Sequence, residues 1–175
     1  QGRQRNRVAQ ARPAMSDTPA PFRSGEMTVL PEWIDFNGHL NMAYYNVLFD
    51  QGVDQAYSEI GLGPEYQRTG CTTYVAEFHV CYLRELHKGD RVYTTFQLLD
   101  HDEKRFHSFQ ELWHVDGWLA ATAEGLTLHV DQSGPRVAPM PEHILPRLDA
   151  MRQNHAKLPT PAQAGRSIGI RRKSA

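Results

Sequence analysis

The chain has 175 residues, a formal charge of −1 at pH 7 and 40% hydrophobic residues, enough apolar material for the core of one domain and little length for a second. The balanced charge gives no general case for binding nucleic acid or an anionic membrane surface. No apolar run approaches the roughly 20 residues that span a bilayer.

The first fourteen residues carry four arginines and no acid. Residues 1–24 read as a flexible leader, with Met15 a candidate native start. A single domain is expected over residues 25–153. Met27 to Trp33 reads as its first strand, stopped by the turn-forming stretch Asp35-Phe36-Asn37-Gly38. Asn41 then suits an N-cap, and Met42 to Ile60 a helix. Apolar or small residues recur at Tyr45, Leu48, Phe49, Gly52, Val53, Ala56 and Ile60, the period of one buried face. Gly61-Leu62-Gly63-Pro64 ends the helix.

Four strand-like runs follow: Cys71 to Glu85, Asp90 to Leu99, Arg105 to Val115 and Trp118 to Val130. Their short polar links include Asp116-Gly117, which fits a hairpin turn. Pro141 to Asn154 reads as a final short helix. Residues 154–175 are rich in Pro, Gly and basic residues and read as a flexible tail or one that wraps a partner subunit. Both cysteines, Cys71 and Cys81, fall on one strand. Ten residues of strand hold them about 33 Å apart at ~3.3 Å per residue, far beyond disulfide reach. Two reduced, buried thiols in a cytoplasmic protein are expected.

This order predicts an α+β fold. A five-stranded antiparallel sheet leaves one face to be covered, and the single long helix must cover it. A sheet wrapped around one central helix is the hotdog arrangement. Its free edge strand calls for a second copy, so a homodimer or homotetramer is expected.

Asp35, Asn37, His39 and Asn41 fall at alternate positions just before the helix. Asp35, Asn37 and Gly38 suit a turn, and Asn41 suits a cap, on structural grounds alone. A turn has no need of the imidazole of His39. The first N–H groups of a helix are unpaired and partly positive, so they can hold an oxyanion forming on a carbonyl. Asp35 lies beside them as a base or nucleophile. A carboxylate next to an oxyanion site is what thioester hydrolysis requires.

The stretch VLPEWIDFNGHLNMAYYNVLFDQGVD resembles the signature of the 4-hydroxybenzoyl-CoA thioesterase-like families. It is also similar to the D-x-N-x-H-x-N segment of plant acyl-acyl carrier protein thioesterases. The likeness continues through Glu77-x-His79-x-x-Tyr82-x-x-Glu85, Gly89-Asp90, and Leu98-Leu99-Asp100-x-Asp102-x-Lys104-Arg105-x-His107. That longer pattern resembles the betainyl-CoA thioesterase branch linked to carnitine breakdown. The resemblance implies that Asp35 is the carboxylate base or nucleophile. It implies supporting roles for Asn37 and His39, and an oxyanion donor at the backbone N–H of Met42. Asn41 joins them as a positioning group.

Tyr44 and Tyr45, in the first helical turn, are candidates to contact the acyl group, and aromatic faces could cage a quaternary ammonium. Glu77 shares a strand face with His79 and is a candidate substrate contact or part of a dimer seam. Arg84 and Arg105, at strand ends, could meet the phosphates of coenzyme A, although solvated strand-end charges are the commoner case. No tight metal-ligand spacing, Gly-rich phosphate loop or G-x-S-x-G elbow is present, so neither a metal nor another cofactor is expected. Two rivals stay open: a hotdog hydratase or dehydratase acting on an enoyl group, and a non-catalytic acyl-binding module.

Overall fold

The helix predicted from apolar spacing is present with the same two ends. In the computed structural model, which describes residues 20–170 and 172, helix α1 runs Met42–Ile60. The Asn41 side chain accepts the Ala43 N–H at its start and Gly61 closes it at φ 86°. All seven positions of the expected apolar face are buried, and Tyr57 joins them. Gly52 sits on that face because the facing strand leaves no room there: a Cβ at this position would lie 2.9 Å from the Thr94 Cβ.

Among the described residues seven strands form one antiparallel sheet: β1 Phe22–Arg23, β2 Met27–Thr28, β3 Cys71–Tyr82, β4 Arg91–His101, β5 Arg105–His114, β6 Leu119–Asp131 and β7 Arg136–Val137. The path is β1-β4-β5-β6-β3, with β2 also on β4 and β7 on β6. Four long strands carry the sheet, and three two-residue pieces extend its margins. The fold is the expected hotdog with more strands than the five predicted. The predicted strand from Met27 to Trp33 shrinks to Met27–Thr28 because Pro31 has no N–H to donate to a ladder, and Pro31–Trp33 turn as a 3-10 helix. Asp116-Gly117 does close the β5–β6 hairpin, with Gly117 at φ 87°.

Residues 1–19 of the expected leader lie outside the described residues. Phe22 and Arg23, placed in the same leader, already pair with Phe96 and Thr95 of β4, so the sheet begins ahead of the expected boundary. Helix α2 spans Leu145–His155, starting later than expected because the chain first turns at Pro141, whose carbonyl accepts the Ile144 N–H. Beyond α2 the chain follows the sheet. Gln97 Nε2 donates to the Pro159 carbonyl at 3.3 Å, and the Gly165 N–H donates to the Glu124 carboxylate at 2.8 Å. Much of the expected loose tail is therefore docked on its own sheet.

The core has two lobes strung along α1. One gathers Val53, Ala56 and Tyr57 with Phe96, Phe106 and the α2 residues Leu148 and Met151. The other gathers Leu48 and Phe49 with Val29, Leu40, Leu86, Val92 and Leu112. Leu40 and Leu86 pin the loop before α1 to the segment after β3. Cys71 and Cys81 are unpaired as expected, but both are half-exposed rather than buried, because β3 is an edge strand. No helix among the described residues is long and apolar enough to cross a membrane.

Candidate active site

The segment before α1 closes into a small hairpin. Ile34 and Leu40 form a bridge, the Asp35 N–H donates to the His39 carbonyl at 3.1 Å, and the Asn41 N–H donates to the Trp33 carbonyl at 3.0 Å. At its tip the Asn37 N–H donates to Asp35 Oδ1 at 2.8 Å. Gly38 completes the turn at φ 85°, a left-handed conformation that favours glycine. Leu40, 2% exposed, anchors the hairpin in the core, and its N–H donates to the Leu86 carbonyl at 2.7 Å. The turn-forming and chemical roles of this segment therefore coexist: Asp35 shapes the loop with one carboxylate oxygen.

The four alternate polar residues separate into two groups. Asp35 and His39 line a pocket of about 370 Å3 at the start of α1, together with Leu40, Met42, Tyr45 and Arg84. Asn37 stands exposed at the loop tip, and the Asn41 side chain is spent on the helix cap. That cap takes the Ala43 N–H, and the Asn41 carbonyl takes the Tyr44 N–H at 3.0 Å. The Met42 N–H has no partner among the described residues, and Met42 borders the pocket. Met42, whose amide is a free donor at a helix N-terminus, thus lines the same cavity as Asp35.

Tyr82, Leu83 and Glu85 form the opposite wall. The Tyr82 hydroxyl donates to the Met42 carbonyl at 3.3 Å, tying the end of β3 to the helix start. Tyr45 packs edge-on against Tyr82 with ring centroids 5.1 Å apart, and its hydroxyl donates to the Arg84 carbonyl at 3.4 Å. Burial pushes the phenols of Tyr45 and Tyr82 above their ordinary range, which keeps both as neutral donors. Glu85 Oε1 lies 3.7 Å from His39 Nε2. Tyr82 and Glu85 stand in the sequence pattern quoted above, yet nothing in local spacing assigns them to the wall facing Asp35. Only the path of β3 past α1 does so.

The remaining candidates divide. Arg84 borders the pocket and stacks its guanidinium over Trp118, 4.1 Å from the ring centroid, leaving a positive charge at the mouth. Tyr44 stacks on Trp33, with centroids 5.4 Å apart, and does not line the cavity. Glu77 is exposed on β3 beside a bulge, and Arg105 donates to Asp102 at 2.6 Å where β5 begins. Within the single chain, neither Glu77 nor Arg105 is brought to the pocket of Asp35.

Residues 29–148 match the family model of the thioesterase-like superfamily. The chain is 39% identical over 147 residues to a betainyl-CoA thioesterase of Pseudomonas aeruginosa, covering 83% of this chain and 92% of that protein. It is 36% identical to an L-carnitine dehydrogenase/betainyl-CoA thioesterase of Rhizobium meliloti, covering 89% of this chain but only 32% of that longer protein. Among solved structures, a Staphylococcus aureus protein in complex with CoA superposes with a TM-score of 0.80 at 31% identity, covering 90% of this chain and all of that one. A 1,4-dihydroxy-2-naphthoyl-CoA thioesterase from Synechocystis shares the fold, with a TM-score of 0.65 at 16% identity over 74% of this chain and 96% of that one.

Proposed function

The chain belongs to the thioesterase-like superfamily, and we propose that it hydrolyses a small acyl-CoA thioester to the acid and coenzyme A in the pocket of Asp35. The observation that carries this reading is that Asp35 and Met42, whose N–H is unpaired among the described residues, line one cavity. The thioester carbonyl oxygen accepts from Met42 N–H, so the charge that develops on it meets a fixed donor at a helix end. Asp35 takes a proton from water as the water oxygen bonds to the carbonyl carbon. The C–S bond then breaks, and the thiolate leaves and gains a proton. His39 orients the water or the base, while Asn37 and Asn41 hold the loop and the helix start. Arg84, at the mouth, meets a phosphate of coenzyme A.

The likeness to the Pseudomonas aeruginosa protein makes betainyl-CoA the first acyl group to try. A panel of acyl-CoA substrates, read by thiol release, tests the reading. Consumption of an enoyl-CoA without thiol release would favour the hydratase instead, and binding without turnover would favour an acyl-binding module. The chemistry needs only water, so full activity in EDTA is expected. A coenzyme A substrate and two unpaired thiols suit a cytoplasmic enzyme.

Assembly is part of the proposal. One edge of β3 pairs with β6, and the other edge is free among the described residues. Along and just past that strand Tyr74, Val75, Phe78, Tyr82 and Leu83 are each 39–55% exposed, an apolar seam that a lone subunit would leave wet. Two copies pairing β3 edges would cover it and would bring the second copy up to the pocket wall at Tyr82 and Leu83. A dimer, alone or within a tetramer, is expected in sedimentation. A monomer that turns over at full rate would contradict this.

A further inference from the structure

The segment after α2 crosses the face of the sheet turned away from α1. Strand alternation identifies that face. Phe96 and Leu98 join the core beside α1, so Gln97 between them points the other way, and Ala123 does the same for its neighbour Glu124. Gln97, Phe109 and Glu124 pair directly across β4, β5 and β6 and form one row. Gln97 Nε2 holds one end of the crossing segment by donating to the His155 and Pro159 carbonyls at 3.4 and 3.3 Å. Glu124 holds the other end, where its two carboxylate oxygens accept the Gly165 N–H at 3.0 and 2.8 Å. Phe109, in the middle of the row, is 2% exposed although it belongs to neither core lobe. Residues 156–165 thus form a strap over this face.

A cavity of about 440 Å3 lies between strap and sheet. Leu99 from the sheet and Leu158 and Ala164 from the strap give it apolar walls, and Arg152 of α2 also lines it. The other ionisable groups of the cavity are engaged. Glu124 Oε1 also meets His107 Nε2 at 2.7 Å, and His155 Nδ1 accepts the Leu98 N–H. Arg152 differs: its Nε is sealed from solvent with no hydrogen-bond partner among the described residues. The arginines that form ion pairs among those residues are Arg68, Arg91, Arg105 and Arg136. A guanidinium N–H buried without an acceptor is costly, and an anion is the group that relieves it. The uncompensated charge is felt nearby. Burial is the larger cause of the lowered His155 pKa, and the Arg152 cation pushes it down further.

The surroundings select among anions. Arg152 is the single Lys or Arg in the cavity, and the Glu124 carboxylate shares the space. A dianion such as phosphate would meet one guanidinium and one like charge. A carboxylate carries a single charge, matches the guanidinium fork with its two oxygens, and brings an apolar body for the leucines.

We infer that the cavity under the strap binds a small aliphatic carboxylate, held by Arg152 and covered by residues 156–165. The site shares no lining residue with the pocket of Asp35 and does not depend on hydrolysis there.

The test titrates the full chain with hexanoate, and with hexanol and inorganic phosphate as the neutral and the dianionic probes. Two readouts are local to the cavity: the imidazole NMR signal of His155 and hydrogen exchange at the Gly165 amide. Hexanoate should move the His155 titration to higher pH, because its charge offsets that of Arg152, and should slow exchange at Gly165. Hexanol and phosphate should bind about tenfold more weakly or worse, and Arg152→Gln should weaken hexanoate by a similar factor. Thiol release without added carboxylate should be the same in Arg152→Gln as in the parent, since Arg152 stands outside the hydrolytic pocket. The inference is overturned if hexanoate gives no saturable change at His155 and Gly165, if hexanol binds as well, if phosphate is preferred, or if the response survives Arg152→Gln. The parent chain alone decides the first three of these outcomes, whatever the variant does to folding.

Discussion

His39 Nε2 faces Glu85 Oε1 at 3.7 Å across the Asp35 pocket. The Glu85 side chain is 66% exposed, so the pair is screened by solvent and adds little to stability. In the proposed mechanism its use is to aim the imidazole. Glu85→Gln keeps a polar partner and should lower kcat by less than about tenfold, whereas His39→Ala removes the imidazole and should cost more, within the 10²–10⁴-fold typical of such groups. Steady-state kinetics on both variants give the ranking. A loss in Glu85→Gln as deep as that in Asp35→Asn would make Glu85 more than a positioning residue.

In the proposed mechanism Asp35 has two duties that substitution can separate. Its Oδ1 accepts the Asn37 N–H and so shapes the loop. Asp35→Asn retains an acceptor oxygen for that bond and loses only the base, so kcat should fall by about 100-fold or more with no change in melting temperature. Asp35→Ala also loses the loop bond and should lower stability by about 1 kcal/mol in addition. Near-normal turnover in Asp35→Asn would remove the carboxylate from the mechanism.

What was legible in the sequence follows from the range of the interactions involved. The α1 face from Tyr45 to Ile60 repeats with the helical period, and Asn41 and Gly61 mark its ends, so local rules suffice. The pairing of Phe22 and Arg23 with β4 has no local signature, since two residues cannot show a period. At the site, Asp35 and His39 could be named from their spacing before the helix. Their separation from Asn37 and Asn41 could not, because it depends on which side chains the hairpin and the helix cap consume. Glu77 shows the same limit. Strand alternation predicts its face relative to His79, but which elements lie near that face depends on how β3 passes α1, and its wall residues toward Asp35 are Tyr82 and those just after it.

Gly52 and Thr94 fix how closely α1 lies on the sheet. Alanine is the better helix former by about 1 kcal/mol, yet its Cβ would fall 2.9 Å from the Thr94 Cβ, well inside ordinary contact. Overpacking of this kind costs about 1–3 kcal/mol. Gly52→Ala should therefore be destabilising in urea unfolding despite the gain in propensity. Adding Thr94→Ala should recover part of the loss, because the threonine branch atoms are also in the way. A Gly52→Ala variant more stable than the parent would show that α1 can lift from β4 at little cost.

His155 gives stability a dependence on pH. Its Nδ1 accepts the Leu98 N–H at 2.9 Å, so the ring must carry no proton there. Burial holds its pKa below the usual histidine value, against a smaller upward pull from a backbone hydrogen bond with Ala20. Unfolded, the imidazole titrates near ~6.5. Between that value and the lower folded value the unfolded chain binds more protons, so stability rises with pH across this window. The contribution of His155 is complete above about pH 6.5 and is lost as pH falls through the folded pKa. His155→Leu leaves the Leu98 N–H without its acceptor and should cost about 1–3 kcal/mol at pH 7.5. The gap between parent and variant should narrow as unfolding is measured from pH 7.5 down to pH 5, since only the parent has this proton to take up. A gap that stays constant over that range would mean that His155 keeps the same affinity for its proton in both states.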